Sequence, residues 1–201
     1  MLVAAIDVGS PAKMGWATST GLTGCGEATL LVQELARHLT DGIPVALGFE
    51  APLWVPRSRP FGRMTSNRGG IEASMRRPWS AGAGCGAMGA GVANMAWVFE
   101  SLNNIVDSIR STTLPSRLLS RDAELLVWEA FVSGDLKAET HNGDAELAVT
   151  AFQFRWPNLL SAIPNEPSVN LAAAALLAAG HTIASDEIGT AGVVVAAMAQ
   201  S

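Results

Sequence analysis

Short apolar runs that end in glycine or in an acid alternate along this chain with longer segments of helical spacing. The apolar runs predict strands at residues 2–8, 13–18, 25–28, 45–50, 124–132 and 192–197. Apolar residues that recur at i, i+3 and i+4 predict helices at residues 30–39, 92–109, 144–154 and 169–179. Three strands in a meander, followed by alternating helices and strands, predict an α/β fold in which helices cover the faces of a mixed sheet.

One stretch of the chain breaks this alternation. Prolines and scattered glycines predict a long irregular insertion at about 52–88, and loops of that length are usually functional or mobile. A glycine- and alanine-rich run at 81–91 follows: its amides could cradle a phosphate, or its glycines could let the next helix pack closely on the sheet. No repeat and no strong linker divides the chain, so we expect one domain over 1–201 with a helix–strand extension at about 168–199.

The amino-acid composition favours a globular protein with a buried core over a disordered or membrane-spanning one. Apolar residues make up 49% of the chain and charged residues 15%, which provides for a buried core and argues against disorder. The two cysteines, Cys25 and Cys85, lack metal-like spacing, and with no secretory signal they predict reduced thiols in a cytoplasmic protein. No apolar run reaches the ~20 residues of a membrane span. The weakly charged, alanine-rich segment 169–199 could supply the face of a homodimer as readily as a core helix.

Acids stand where several predicted strands end. Asp7 closes the first strand, Glu50 closes the fourth, Glu129 lies near the end of the fifth, and Asp144 opens a late helix three residues after His141. If the first and fourth strands are neighbours, their acids meet at one edge of the sheet. Carboxylate oxygens are the ligands that Mg²⁺ and Mn²⁺ prefer. The pattern therefore predicts a Mg²⁺ or Mn²⁺ site and catalytic roles for these acids, with the histidine as a general base.

Each of these residues also has an ordinary structural interpretation. Asp7 could cap the turn that follows it, and Glu50 could be a surface acid at a strand exit. Asp144 suits the N-cap of a helix. Glu129 could lie on the exposed face of an alternating strand, and His141 could be a plain loop residue.

The positive charge of this acidic chain, whose net charge is −5, is concentrated in the predicted insertion. Its arginines are Arg57, Arg59, Arg63, Arg68, Arg76 and Arg77, beside a single acid, Glu72. Arginine binds phosphates in a bidentate manner, and the interleaved aromatics Trp54, Phe61 and Trp79 could stack on unpaired bases. The loop therefore predicts binding of a nucleic acid or nucleotide. Alternatively, its guanidinium groups could fold it over its own domain by pairing with acids and loop carbonyls.

Three motifs resemble a known superfamily. Asp7-x-Gly9 on the first strand, the segment Glu50-Ala51-Pro52-Leu53 and a later acid pair resemble the RNase H-like superfamily, and within it the predicted-nuclease family catalogued as domain of unknown function 429. The likeness covers residues 1–155 in layout. It implies a single RNase H-like domain with a five-stranded mixed sheet, and a divalent-metal site at Asp7, Glu50 and Asp144 with Glu129 as a fourth member. Glu50 departs from the family, in which aspartate is commoner.

These observations lead to three functional hypotheses. The first is a metal-dependent phosphodiester hydrolase, a nuclease, whose insertion binds the substrate. The second is a non-catalytic RNase H-like module that binds a nucleic acid or nucleotide. The third is an ATP-handling protein of the actin and sugar-kinase type, which shares the Asp-x-Gly strand but would need a dimer to form a nucleotide cleft from chains of 201 residues.

Overall fold

A mixed sheet organises the computed structural model, which describes residues 1–132 and 136–198. The strands are β1 (Leu2–Asp7), β2 (Gly15–Thr18), β3 (Thr23–Cys25), β4 (Val45–Phe49), β5 (Trp54–Pro56), β6 (Ser111–Thr112), β7 (Leu125–Phe131), β8 (Ser168–Asn170) and β9 (Val194–Ala196). The α-helices are α1 (Thr29–Thr40), α2 (Gly82–Asn103), α3 (Pro115–Leu119), α4 (His141–Arg155) and α5 (Leu171–Ala178). No helix among the described residues is long and apolar enough to cross a membrane.

The sheet topology confirms the predicted α/β class. The strand order is β3-β2-β1-β4-β7-β6, and β9 also pairs with β7. Strands β1 to β3 form the expected antiparallel meander, whereas β1, β4 and β7 run parallel to one another. The expected five-stranded sheet is wrong in number, since the described residues contribute seven strands to it. The difference arises because β6 has only two residues, too few for a pattern, and the predicted C-terminal strand pairs in parallel with β7.

Register brings the ends of three parallel strands to one edge of the sheet. Ile6 lies opposite Phe49, and Phe49 lies opposite Glu129. Asp7 and Glu50 each follow one of these paired residues. Because β1, β4 and β7 are parallel, all three acids stand at the same carboxyl edge.

Helices cover both faces of the sheet, as the sequence predicts. On one face, α1, α2 and α5 pack on alternate strand residues such as Ile6 and Phe49. On the other face, α4 packs on the remaining positions, with Phe152 4.8 Å from the ring of Trp128. Strand β5 pairs separately with β8, so that the predicted insertion is joined to the C-terminal segment.

The glycine-rich run is helical, which corrects the predicted boundary of α2. This helix begins at Gly82 rather than at 92 and ends at Asn103 rather than at 109. A side chain at Gly91 would place its Cβ 2.6 Å from the Cβ of Ala51, next to the end of β4. Close packing of α2 on the sheet edge therefore outweighs the low helix propensity of glycine.

Candidate metal centre

Three of the predicted acids form a cluster at the carboxyl edge of the sheet. Asp7 is the last residue of β1, Glu50 directly follows β4, and Asp144 lies in the first turn of α4. Each offers a carboxylate oxygen, and these oxygens all lie within 4.8 Å of one another. The predicted metal-binding set is thus brought together in space, and it could hold a cation.

Close approach of α4 to the sheet edge completes the cluster. Strand β2 pairs Gly15 with Asp7, and a Cβ at Gly15 would lie 2.2 Å from the backbone carbon of His141. The glycine therefore permits the start of α4 to sit beside β1. The N-cap of α4 is Thr140, whose hydroxyl accepts the Gly143 amide at 3.2 Å.

Asp144 is consequently not the cap of its helix. Its Oδ1 accepts the backbone N–H of Ala138 at 2.6 Å, and its side chain is buried. The carboxylate is directed back toward the segment before α4 and toward Glu50. The interpretation of Asp144 as a simple N-cap is therefore wrong.

His141 stands at the edge of the same cluster. Its Nδ1 is hydrogen-bonded to Oδ2 of Asp7, and its ring is half-exposed. An ionised carboxylate only accepts hydrogen bonds, so Nδ1 is the nitrogen that carries the proton in this contact. In the neutral ring, Nε2 is then left as a base.

Glu50 has an unusual environment for a carboxylate. Burial and the negative charge of Asp7 raise its pKa to about 8, against the attraction of Lys137. Its Oε2 is buried and has no hydrogen-bond partner among the described residues. A buried carboxylate oxygen without a donor is costly unless a cation satisfies it, so this atom fits a metal site.

Lys137 belongs to the site, although the sequence analysis did not single it out. Its Nζ lies 3.0 Å from Oε1 of Glu50 and 3.2 Å from Oδ2 of Asp144. Burial lowers its pKa, but the two carboxylates outweigh that effect and raise the pKa to about 12. One signal was available: it is one of two lysines in a chain whose other eleven basic residues are arginines, and it lies seven positions before Asp144.

Glu129 lies outside the cluster, which corrects its assignment as a fourth member. Its Oε2 accepts the amide of Leu53 and a guanidinium N–H of Arg68, each at 2.9 Å. Arg68 also donates to Glu72 at 2.7 Å and lies 4.5 Å over the ring of Trp54. Both oxygens of Glu129 therefore accept hydrogen bonds, and this acid does not belong to the cluster of Asp7, Glu50 and Asp144.

Arg68 is likewise a structural residue rather than an exposed group for phosphate. Its side chain is fully buried between two carboxylates. Burial lowers the pKa of this guanidinium, but Glu129 and Glu72 outweigh that effect and raise it. The interpretation in which an arginine folds the loop onto its own domain therefore holds at this position.

The other arginines of the insertion divide into two groups. Arg59 binds Glu166 and the carbonyls of Ser66 and Asn67, which again suits a structural role. The exposed arginines form no ion pair among the described residues; they are Arg57, Arg63, Arg76 and Arg77. Of the three aromatics, Trp54 and Trp79 are buried, and only Phe61, at 86% exposure, could stack on a base.

A cleft of about 690 Å³ opens at the carboxylate cluster. Asp7, Glu50, Lys137 and His141 line it together with the buried Arg68–Glu129 pair. Apart from Glu72, which pairs with Arg68, its remaining wall is formed by small and apolar residues, many of them from the start of α2. A cleft of this size suits a small ligand or one segment of a larger one.

Comparisons of the chain with family models, with curated proteins and with solved structures gave no match. The RNase H-like resemblance therefore stays a prediction from the motifs.

Proposed function

We propose that this protein is a divalent-metal-dependent hydrolase of phosphodiester bonds, with a nucleic acid as substrate. The observation that carries the proposal is the cluster of Asp7, Glu50 and Asp144, in which carboxylate oxygens from three elements lie within 4.8 Å of one another. The unpartnered Oε2 of Glu50 gives the cluster unused acceptor capacity. Hard cations such as Mg²⁺ and Mn²⁺ match such oxygens.

The three carboxylates would hold the cation. When bound, a divalent cation polarises a phosphoryl oxygen and makes water more acidic. Asp7 has two tasks in this arrangement, because its Oδ2 is bonded to His141 and its Oδ1 is left for the cation.

His141 is then placed to accept a proton. Asp7 orients the ring through Nδ1, and Nε2 can take a proton from the attacking water. Hydrolysis adds that water across a P–O bond, which yields a phosphomonoester and a free hydroxyl group. The imidazolium that forms is stabilised by the carboxylate of Asp7.

The choice of nucleic acid as substrate rests on the exposed arginines. Arg76 and Arg77 lie in the chain between Met75 and Pro78, which both line the cleft. Guanidinium groups next to the cleft could bind the phosphates that flank the scissile one. Since the net charge is −5, attraction of a polyanion has to be local.

A second candidate is a module that binds nucleic acid without cleaving it. The observation in its favour is Lys137, whose ammonium group already compensates Glu50 and Asp144. Under this alternative the ammonium takes the place of a metal permanently.

Calorimetric titration with Mn²⁺ tests the proposal. We expect saturable binding by the wild type and by Asp107→Asn, a control at an exposed acid, and loss of binding in Asp7→Asn. Binding would be followed by Mn²⁺-dependent cleavage assays on single-stranded, duplex and branched substrates. If the wild type fails to bind Mn²⁺ at millimolar concentration, the metal-dependent function is wrong.

A further inference from the structure

Lys137 contacts the carboxylate oxygens that a cation would need. Oδ1 of Asp144 already accepts the Ala138 amide at 2.6 Å, so Oδ2 is the oxygen left for a ligand bond. Lys137 lies 3.2 Å from that Oδ2 and 3.0 Å from Oε1 of Glu50. A metal that ligates both acids therefore competes with the ammonium group.

Lys137 can also leave this position. Its side chain is 48% exposed, and it reaches the cluster from the segment before α4. A lysine is a point charge on a flexible stem, so its ammonium can move by rotation of single bonds. Arg68, the other strongly basic residue lining the cleft, is fully buried and held by two carboxylates.

We propose that the ammonium group of Lys137 moves away from Glu50 and Asp144 when the divalent cation binds them, and that it then binds the phosphate of the substrate in the cleft. This inference rests on the proposed metal-dependent function. It assigns the residue two successive partners: Glu50 and Asp144 without metal, and a phosphate oxygen when metal and substrate are bound. The alternative is a permanent ion pair that only holds the cluster together.

Electrostatics favours the exchange of partners. Once a divalent cation neutralises the carboxylates, their attraction for the ammonium group falls, and a substrate phosphate becomes the strongest anion within its reach. The rest of the cleft wall is apolar or already paired, so no other described lining residue offers an exposed ammonium or guanidinium group.

Removing the charge of Lys137 separates the two roles. In Lys137→Met we expect Mn²⁺ to bind about tenfold more tightly by calorimetry, because a competing cation a few ångströms away is gone. Cleavage at saturating Mn²⁺ should nevertheless fall by about 10²-fold, because the phosphate loses a charged donor, and loss of one donor to a reacting oxyanion costs about that much. The increase in melting temperature on adding Mn²⁺ should be larger than in the wild type.

Two further variants complete the experiment. Lys13→Met removes the other lysine of the chain, an exposed residue that does not line the cleft, and should leave both quantities unchanged. Lys137→Arg keeps the charge, so its Mn²⁺ affinity should return toward the wild-type value.

Each alternative result has a distinct meaning. Equal or weaker Mn²⁺ binding by Lys137→Met, with a wild type that does bind, would overturn this inference and leave the metal-dependent function intact. Tighter binding with unchanged cleavage would also overturn it, since the lysine would then be only a competitor. If no variant binds Mn²⁺, both the inference and the proposed function fail.

Discussion

Two groups of acids meet in the same cleft, and they differ in what their oxygens have left to bind. Around Arg68, the carboxylates of Glu72 and Glu129 are buried and receive guanidinium and amide donors. Around Lys137, Glu50 keeps an oxygen without a donor, and the ammonium group is half-exposed. We call the first group closed, because its carboxylates already have donors on both oxygens. The second group is open, because Glu50 has an oxygen that can still accept a cation.

The difference teaches that burial of an acid at a strand end does not by itself identify a ligand. Glu129 lies opposite Phe49 near the end of β7, and Glu50 follows Phe49 at the end of β4, so the two are close neighbours in the sheet. What separates them is the number of donors that the surrounding chain supplies. A carboxylate with its acceptors filled stabilises the fold, and one with spare acceptors can bind a ligand.

The largest expected effect comes from removing Arg68, the buried cation of the first group, in comparison with Lys137, the half-exposed cation of the second. We expect Arg68→Met to lower the free energy of unfolding by about 3–5 kcal/mol, because two buried carboxylates lose their partner. Lys137→Met should change it by no more than about 1 kcal/mol, since that ammonium is half-exposed and its charge is screened by solvent. Urea unfolding followed by circular dichroism measures both.

Arg59→Met is the matched control for this pair of variants. Its ion pair with Glu166 is partly exposed, so its loss should cost much less than the loss of Arg68. A smaller cost for Arg68→Met than for Lys137→Met would contradict the distinction between a closed and an open group.

The expected effect of intermediate size is the dependence of Mn²⁺ affinity on pH. The pKa of Glu50, raised to about 8, means that a proton occupies this acid at neutral pH and must leave when metal binds. Mn²⁺ affinity should therefore rise by up to about tenfold per pH unit below pH 8 and level off above it. Calorimetry in buffers of different ionisation enthalpy should detect the released proton.

The same titration has a consequence for stability without metal. The pKa of Glu50 is about 8 in the folded protein and 4.5 in the unfolded chain, so the folded state binds the Glu50 proton more tightly. The contribution of this proton to the free energy of unfolding is complete below pH 4.5 and is lost as the pH rises through about 8. The contribution of Glu50 should fall by at most about 1.4 kcal/mol per pH unit in this interval. Glu50→Gln should remove this slope, and a slope that persists in the variant would show that another group causes it.

The convergence of Asp7 and Glu50 could be predicted because the sequence indicates both where a strand lies and which residue follows its carboxyl end. Apolar runs locate β1 and β4, and an acid directly after each run stands at the carboxyl end of its strand. Adjacency of those strands then places the acids together, as the parallel pairing of β1 and β4 confirms. Asp144 joined them because α4 returns across the sheet to β1 and β2.

The sequence could not separate open acids from closed ones. Both carboxylate oxygens of Glu129 accept hydrogen bonds from Arg68, which lies 61 positions earlier in the chain, and no local sequence pattern predicts such a pairing. The role of Lys137 could not be predicted from hydrophobic periodicity either, because it depends on the position of the segment before α4, which brings its ammonium group to Glu50 and Asp144. The start of α2 was missed because its glycines indicate a loop, whereas in the structure they lie in a helix whose Gly91 packs against Ala51.

The smallest expected effect concerns the exposed arginines beside the cleft, in contrast to the buried Arg68. We expect Arg76→Ala combined with Arg77→Ala to weaken binding of single-stranded or duplex DNA several-fold without changing Mn²⁺ affinity. The slope of log affinity against log salt concentration should decrease in magnitude by about 0.7 to 0.9 for each phosphate that the protein no longer neutralises. Arg121→Ala is the control, because this exposed residue precedes the amino end of β7, at the opposite edge of the sheet. An unchanged salt slope in the double variant would mean that the arginines next to the cleft do not bind the DNA backbone, and that recognition of a polyanion has to come from elsewhere on the protein.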